Sequence, residues 1–266
     1  MTPLIKIDSI FLKREDQNPS GSAKDRALLL QVQNLKSKGF SKAVISSTGN
    51  AAISAQFFCH QLQVPLTIFL SPRTSPAKLK LLHNFTISPR PISDAIKFAK
   101  VNHAYLLRQS TDPIALSGYR QIGTELLQEL PKISSLFIPV GSGTTMLGVS
   151  QSLPQPVKIF AVQPASHCPI SSLFDKNYSS ETSSLTDSLG AKYLPLKNNI
   201  LKAIRESGGG GVVVQNRNIK IAQSFLLNNK IITSFESALA LAGYQKIKNT
   251  QDVGKFPVIL LTGAKR

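Results

Sequence analysis

Residues 12–26 read LKREDQNPSGSAKDR, and the reading of this stretch decides the fold. A short apolar run, Ile10, Phe11 and Leu12, enters it as a strand. Asn18, Pro19, Ser20, Gly21 and Ser22 make a turn, with Pro19 and Gly21 as its punctuation and Ser22 as the expected helix N-cap. A helical run over 27–35 follows, so Lys24 falls in the first turn of a helix. There the positive end of the helix dipole opposes a second positive charge. Condensation of the amine with an aldehyde removes that charge, which is the chemistry of a Schiff-base lysine. A lone lysine at such a place would be an ordinary surface residue, and it is the surrounding string that sets this one apart.

Composition narrows the class. The 266 residues are 42% hydrophobic and 17% charged, enough for a core and for one or two domains and too apolar for a disordered chain. No apolar run reaches bilayer length, and the opening MTPLIKIDSI lacks a signal-peptide pattern, so a soluble cytoplasmic protein with no membrane partner is expected. Cys59 and Cys168 have no metal or CxxC spacing and are expected as buried free thiols. The histidines at 60, 83, 103 and 167 are scattered, and no metal site is expected. The formal charge of +17 is spread over lysines without aromatic interleaving, which argues against nucleic acid. Such a field would weakly favour anionic ligands.

Along the chain, strands alternate with helices. Ala43, Val44, Ile45 and Ser46 read as a buried strand, followed by Ser47, Thr48, Gly49 and Asn50 and a helix over 51–62. That arrangement points backbone N–H groups at an anion or carboxylate. Strands over 66–70, 85–87 and 105–107, with helices from Pro76 and over 92–101 between them, imply a small parallel sheet. A long helix over 114–130 leads to the apolar strand LFIPV, residues 136–140, and the turn Gly141, Ser142, Gly143, Thr144, Thr145. Glycines let the backbone close on a phosphate, and the hydroxyls add donors. No G-K-[ST] or GxGxxG follows, so neither a Walker loop nor a dinucleotide site is expected. Further strands over 158–162, 212–214 and 258–261 and helices over 198–206, 216–228 and 234–246 complete the pattern, with Thr262 and Gly263 ending the last strand.

The string over 13–26 resembles the K-x-E-x-x-N-P-T-G-S-x-K-D-R signature of pyridoxal-phosphate enzymes of the tryptophan synthase β type, fold type II, and above all its threonine synthase branch. Lys13, Glu15, Asn18, Pro19, Gly21, Ser22, Lys24, Asp25 and Arg26 match, with Ser20 in the place of Thr. STGNAAISA resembles the S-S-T-G-N-x-A motif, GSGTT the family's G-S/T-G-G-T phosphate loop, and LTG the L-T-G-x-G strand end. The resemblance implies pyridoxal 5′-phosphate bound covalently at Lys24, the catalytic residue. It implies cofactor contacts from Asn50, Gly141, Ser142, Gly143, Thr144, Thr145 and Thr262. The substrate carboxylate would lie on Ser47, Thr48 and Gly49.

The implied fold is α/β: two domains with parallel or mostly parallel sheets flanked by helices, the cofactor in a cleft between them. The expected boundaries are 40–115 for the small domain and 1–39 plus 116–266 for the large one. The implied activity is elimination or replacement on a small amino-acid substrate, with threonine synthase, converting O-phosphohomoserine to threonine and phosphate, as the first reading. Serine/threonine dehydratase and cysteine synthase-like chemistry are alternatives, and a homodimer is implied. Ser110, Ser117 and Ser234-Phe235 depart from the family pattern, which keeps a degenerate ligand-binding paralogue as a reading of another class.

Overall fold

The computed structural model describes residues 1–266 apart from Thr48, Arg73 and Lys192. In chain order the elements are β1 (Leu4–Ile7), β2 (Ile10–Lys13), α1 (Lys24–Gln33), β3 (Ala43–Ser46), α2 (Asn50–Gln61), β4 (Leu66–Leu70) and α3 (Pro76–Leu79). Then come β5 (Phe85–Ile87), α4 (Pro91–Val101), β6 (Tyr105–Leu106), α5 (Pro113–Glu129), β7 (Ser135–Pro139), α6 (Thr144–Ser150) and β8 (Lys158–Pro164). The chain ends with α7 (Lys197–Glu206), β9 (Gly210–Val214), α8 (Asn216–Asn228), α9 (Phe235–Ile247) and β10 (Pro257–Leu260). The fold is α/β, as expected, with sheets flanked by helices. Among the described residues, no helix is long and apolar enough to cross a membrane.

The chain divides into two compact units. The first, residues 1–17 and 119–265, holds a six-stranded sheet of order β1-β2-β10-β7-β8-β9. Only the β1–β2 pair is antiparallel, with Leu4 opposite Lys13; β2, β10, β7, β8 and β9 run parallel. β7, β9 and β10 are buried at every position, the pattern of strands covered on both faces. The core gathers Leu12, Phe137, Phe160, Val162, Val212 and Ile259 from the sheet with Leu239, Leu241 and Tyr244 of α9. The Phe137 and Phe160 rings stack at 4.7 Å, and Tyr244 meets Phe137 edge-on at 5.4 Å.

Thr2, Lys13 and Glu15, all within the family-like opening, are buried anchors of this unit. Lys13 is fully buried, and its three ammonium protons are matched by the Thr2 carbonyl at 2.7 Å, Glu125 at 2.8 Å and Glu129 at 2.6 Å. The Thr2 hydroxyl donates to Glu15 at 2.5 Å. A buried ammonium with every proton paired avoids the large cost of an uncompensated charge.

The second unit, residues 18–118 with Arg266, holds the parallel sheet β5-β4-β3-β6. Residues 18–39, expected with the larger domain, belong to this unit by their contacts, because α1 packs along α2. α5 begins here, and Gly118 lies directly on the Arg26 carbonyl of α1, an approach that any Cβ would block.

Candidate active site

In the second unit Lys24 is the first residue of α1. The N-cap is Ala23, in helical conformation with no side-chain cap, rather than the expected Ser22. The Ser22 hydroxyl is instead fully buried and has no hydrogen-bond partner among the described residues. What holds the turn is Asp25, which accepts from the Ser20 N–H at 2.7 Å and from the Ser20 hydroxyl. Its carboxylate is also the acid in the first turn of α1, where negative charge favours the helix and offsets the neighbouring Lys24.

Asn50 is the first residue of α2, one residue earlier than the helix expected over 51–62. Gly49 is its N-cap, and the Gly49 N–H reaches the Ser47 hydroxyl at 3.3 Å. Thr48, expected beside them, lies outside the described residues. The Asn50 amide oxygen accepts from Arg266 Nε at 3.0 Å, and a second Arg266 nitrogen donates to the Ser20 carbonyl. Arg266 therefore joins the turn that carries Lys24 to the start of α2. Burial pushes its guanidinium down from the ordinary value, and the charge of Asp25 draws it back up.

In the first unit, residues 141–145 leave the C-terminal end of β7, and Thr262 follows β10, the parallel neighbour of β7. Gly143 has φ +80°, and a Cβ there would strike Ile200. A Cβ on Gly141 would come within 3.2 Å of the Ser188 carbonyl. Thr144 is buried and its hydroxyl lies 3.2 Å from that of Ser142, while Thr145 and Thr262 are half-buried. No acidic side chain occurs in the turn. Glycines at the two crowded positions and hydroxyls at the other three form a donor set without negative charge. This chemistry fits a phosphoryl group, and the buried Ser22 hydroxyl, unpartnered among the described residues, leaves a donor two positions from Lys24. Among the described residues no cluster of His, Cys, Asp and Glu could hold a metal ion.

The pattern of residue types does not reveal the braces behind these loops. Gln163, in the otherwise apolar β8, donates to the Val140 carbonyl at 3.1 Å and accepts from the N–H groups of Ile170 and Ser171 at 2.9 Å. A buried amide in such a strand is a signal that partners await it. Glu236 accepts from the N–H groups of Asp187 and Ser188, the segment that crowds Gly141. The Gly263 carbonyl accepts from Thr233 at 2.6 Å and Ser237 at 3.2 Å, which pins the strand end carrying Thr262. Ser234 caps α9 by accepting from the Ser237 N–H, so its departure from the family pattern has a local structural use. Arg266 had no local signal at all.

A groove of about 1110 Å³ in the second unit is lined by Ile53, Phe57, His60, Leu81 and His83. None of Lys24, Ser47, Gly49 or Asn50 lines it, so it is not the candidate site.

Comparison with known proteins identifies the family. The pattern that defines the family "Pyridoxal-phosphate dependent enzyme" matches residues 1–263, and the chain belongs to that family, whose cofactor is pyridoxal phosphate. The chain is 25% identical to an L-threonine ammonia-lyase of Geobacter sulfurreducens over 96% of its own length and 67% of the relative's. It is 26% identical to a threonine synthase of Methanosarcina acetivorans over 96% of its length and 71% of the relative's. Maize serine racemase superposes with a TM-score of 0.87 at 18% identity, covering 100% of this chain and 88% of that one, which shows a shared fold.

Proposed function

We propose that the chain is a lyase of the threonine synthase type, converting O-phosphohomoserine and water to threonine and phosphate. The observation that carries this reading is the acid-free turn of glycines and hydroxyls after β7, in a chain whose family lysine opens α1. When bound, pyridoxal phosphate supplies an aldehyde for the lysine and an electron sink for the substrate's Cα.

The protein's own residues do the rest. The N–H groups and hydroxyls of Gly141, Ser142, Gly143, Thr144 and Thr145 bind the phosphoryl group. Asn50 donates its amide N–H to the ring oxygen without adding charge. Ser47, Thr48 and Gly49 hold the substrate carboxylate. Thr262 offers the ring nitrogen a neutral hydroxyl, which restrains the electron sink and favours elimination or replacement over amino-group transfer. Lys24 Nζ takes the proton from the substrate's Cα as general base. The same reading expects a cytoplasmic homodimer.

A second reading, deamination of threonine or serine, is favoured by Ser110, Ser117 and Ser234-Phe235, which depart from the threonine synthase pattern, and by the similarity to a threonine ammonia-lyase. Incubating the cofactor-loaded protein separately with O-phosphohomoserine, threonine, serine, and O-acetylserine plus sulfide discriminates among them. Phosphate and threonine from the first substrate are the expected products. Ammonia and a 2-oxo acid from threonine, without phosphate release, would replace the first reading by the second. A loaded protein inert toward all of them would be a ligand-binding paralogue.

A further inference from the structure

We propose that Arg266 is a positioning residue that fixes which end of the Asn50 side-chain amide faces the cofactor. The inference rests on the proposed contact between Asn50 and the cofactor's ring oxygen. An amide has an acceptor end and a donor end of nearly equal size, and nothing in its shape decides between them. For a ring oxygen bearing negative charge only the donor end serves, since a carbonyl turned toward it would repel it.

Arg266 makes the choice. A guanidinium can only donate, and its Nε lies 3.0 Å from Asn50 Oδ1. The opposite orientation would set the amide N–H2 against the guanidinium N–H, donor against donor. With Oδ1 committed to Arg266, both Nδ2 protons remain, among the described residues, for another acceptor. Asn50 is the first residue of α2, and the helix backbone itself does not decide between the two ends of its side-chain amide.

Arg266 is itself held. A second guanidinium nitrogen donates to the Ser20 carbonyl, and Ser20 is fixed through its N–H and hydroxyl by Asp25. The result is a relay of named groups, Asp25 to Ser20 to Arg266 to Asn50, starting beside Lys24. The two oxygens that accept from Arg266, the Asn50 amide oxygen and the Ser20 carbonyl, are neutral, so charge assistance strengthens bonds that would otherwise be ordinary ones.

The test is a titration of cofactor-free protein with pyridoxal phosphate, read by the visible absorption band, and a pH titration of that band in the loaded protein. The variants are Asn50→Ala, Arg266→Ala, Arg266→Lys and the Asn50→Ala/Arg266→Ala double. Arg266→Ala is expected to weaken cofactor affinity about tenfold, the size of one charge-assisted hydrogen bond. It should also move the pH at which the band titrates in the same direction as Asn50→Ala does. Arg266→Lys, which keeps a donor but not the fork, should recover part of both effects. The double variant should bind no more weakly than Asn50→Ala alone, because an absent amide needs no orienting. Where Arg266→Ala fails to fold, Arg266→Met keeps the apolar stem and gives the same readings.

Losses that multiply in the double variant, or an Arg266→Ala protein that matches wild type in affinity and band while Asn50→Ala is weakened, would overturn the inference and leave the Asn50 contact standing. An Asn50→Ala protein that matches wild type would overturn the contact itself.

Discussion

The turn before α1 and the turn after β7 are fixed by opposite means. In the first, side chains do the holding: Asp25 takes two hydrogen bonds from Ser20, and Arg266 takes the Ser20 carbonyl. In the second, missing side chains do it. Gly143 stands at φ +80° against Ile200, and Gly141 fits under Ser188 because neither carries a Cβ. The contrast follows from what each turn would present. An amine at the head of a helix needs compensating negative charge close by, and Asp25 supplies it. A turn proposed to hold a phosphoryl group needs N–H and hydroxyl donors with no charge to repel the ligand, and glycines leave its backbone uncovered. One turn should therefore be sensitive to charge and the other to volume.

Lys24→Ala is expected to have the largest effect: no cofactor retained through desalting and no turnover above background, with thermal unfolding of the cofactor-free protein little changed. Retained covalent cofactor in that variant would remove the first turn from the comparison. Next comes Gly143→Ala. It combines left-handed backbone strain with a contact on Ile200 and should cost about 1–3 kcal/mol in denaturant unfolding, along with weaker cofactor binding. Adding Ile200→Val, which removes the offending methyl, should recover the steric part and leave the backbone part. Recovery of neither would show that volume is not what the second turn guards.

Asp25→Asn should cost about 1–3 kcal/mol and speed hydrogen exchange at residues 18–25 without touching the amides of residues 141–145. Equal changes in both segments would erase the contrast. The smallest effect concerns Cys59, on α2 away from its first turn. Burial pushes its thiol up to about 12 from the ordinary 9.0. A raised folded-state value means that the stabilisation is complete below pH 9 and is lost as pH climbs through about 12. Cys59→Ala should thus match wild type in the shape of its stability profile below pH 9 and lose less stability above it. Parallel profiles up to pH 12 would contradict this.

Much of this was legible in the sequence because apolar runs and prolines carry strong local information. LFIPV, AVIS and the run ending at Val214 fall within a residue or two of the observed strands. Pro76, Pro91 and Pro113 each open a helix. That Lys24, Asn50 and the turn over 141–145 stand at helix starts was also readable, because each motif is contiguous. What was not legible depends on distant partners. LIKI alternates too briefly to announce β1, which exists through its antiparallel pairing with β2. Ser22 resembles a cap, but the chain turns helical one residue later and leaves its hydroxyl buried. Residues 18–39 join the smaller sheet because α1 finds α2, a contact no local pattern encodes. Arg266 lies 216 positions from Asn50, and only the fold makes them neighbours.

The central claim is covalent capture of pyridoxal phosphate by one amine at the head of α1. Borohydride reduction of the loaded protein, followed by proteolysis and mass mapping of the pyridoxyl label, tests it most directly. A single stoichiometric label on Lys24 is the predicted result. A label on another of the chain's lysines, or none on a protein that visibly binds the cofactor, would contradict it.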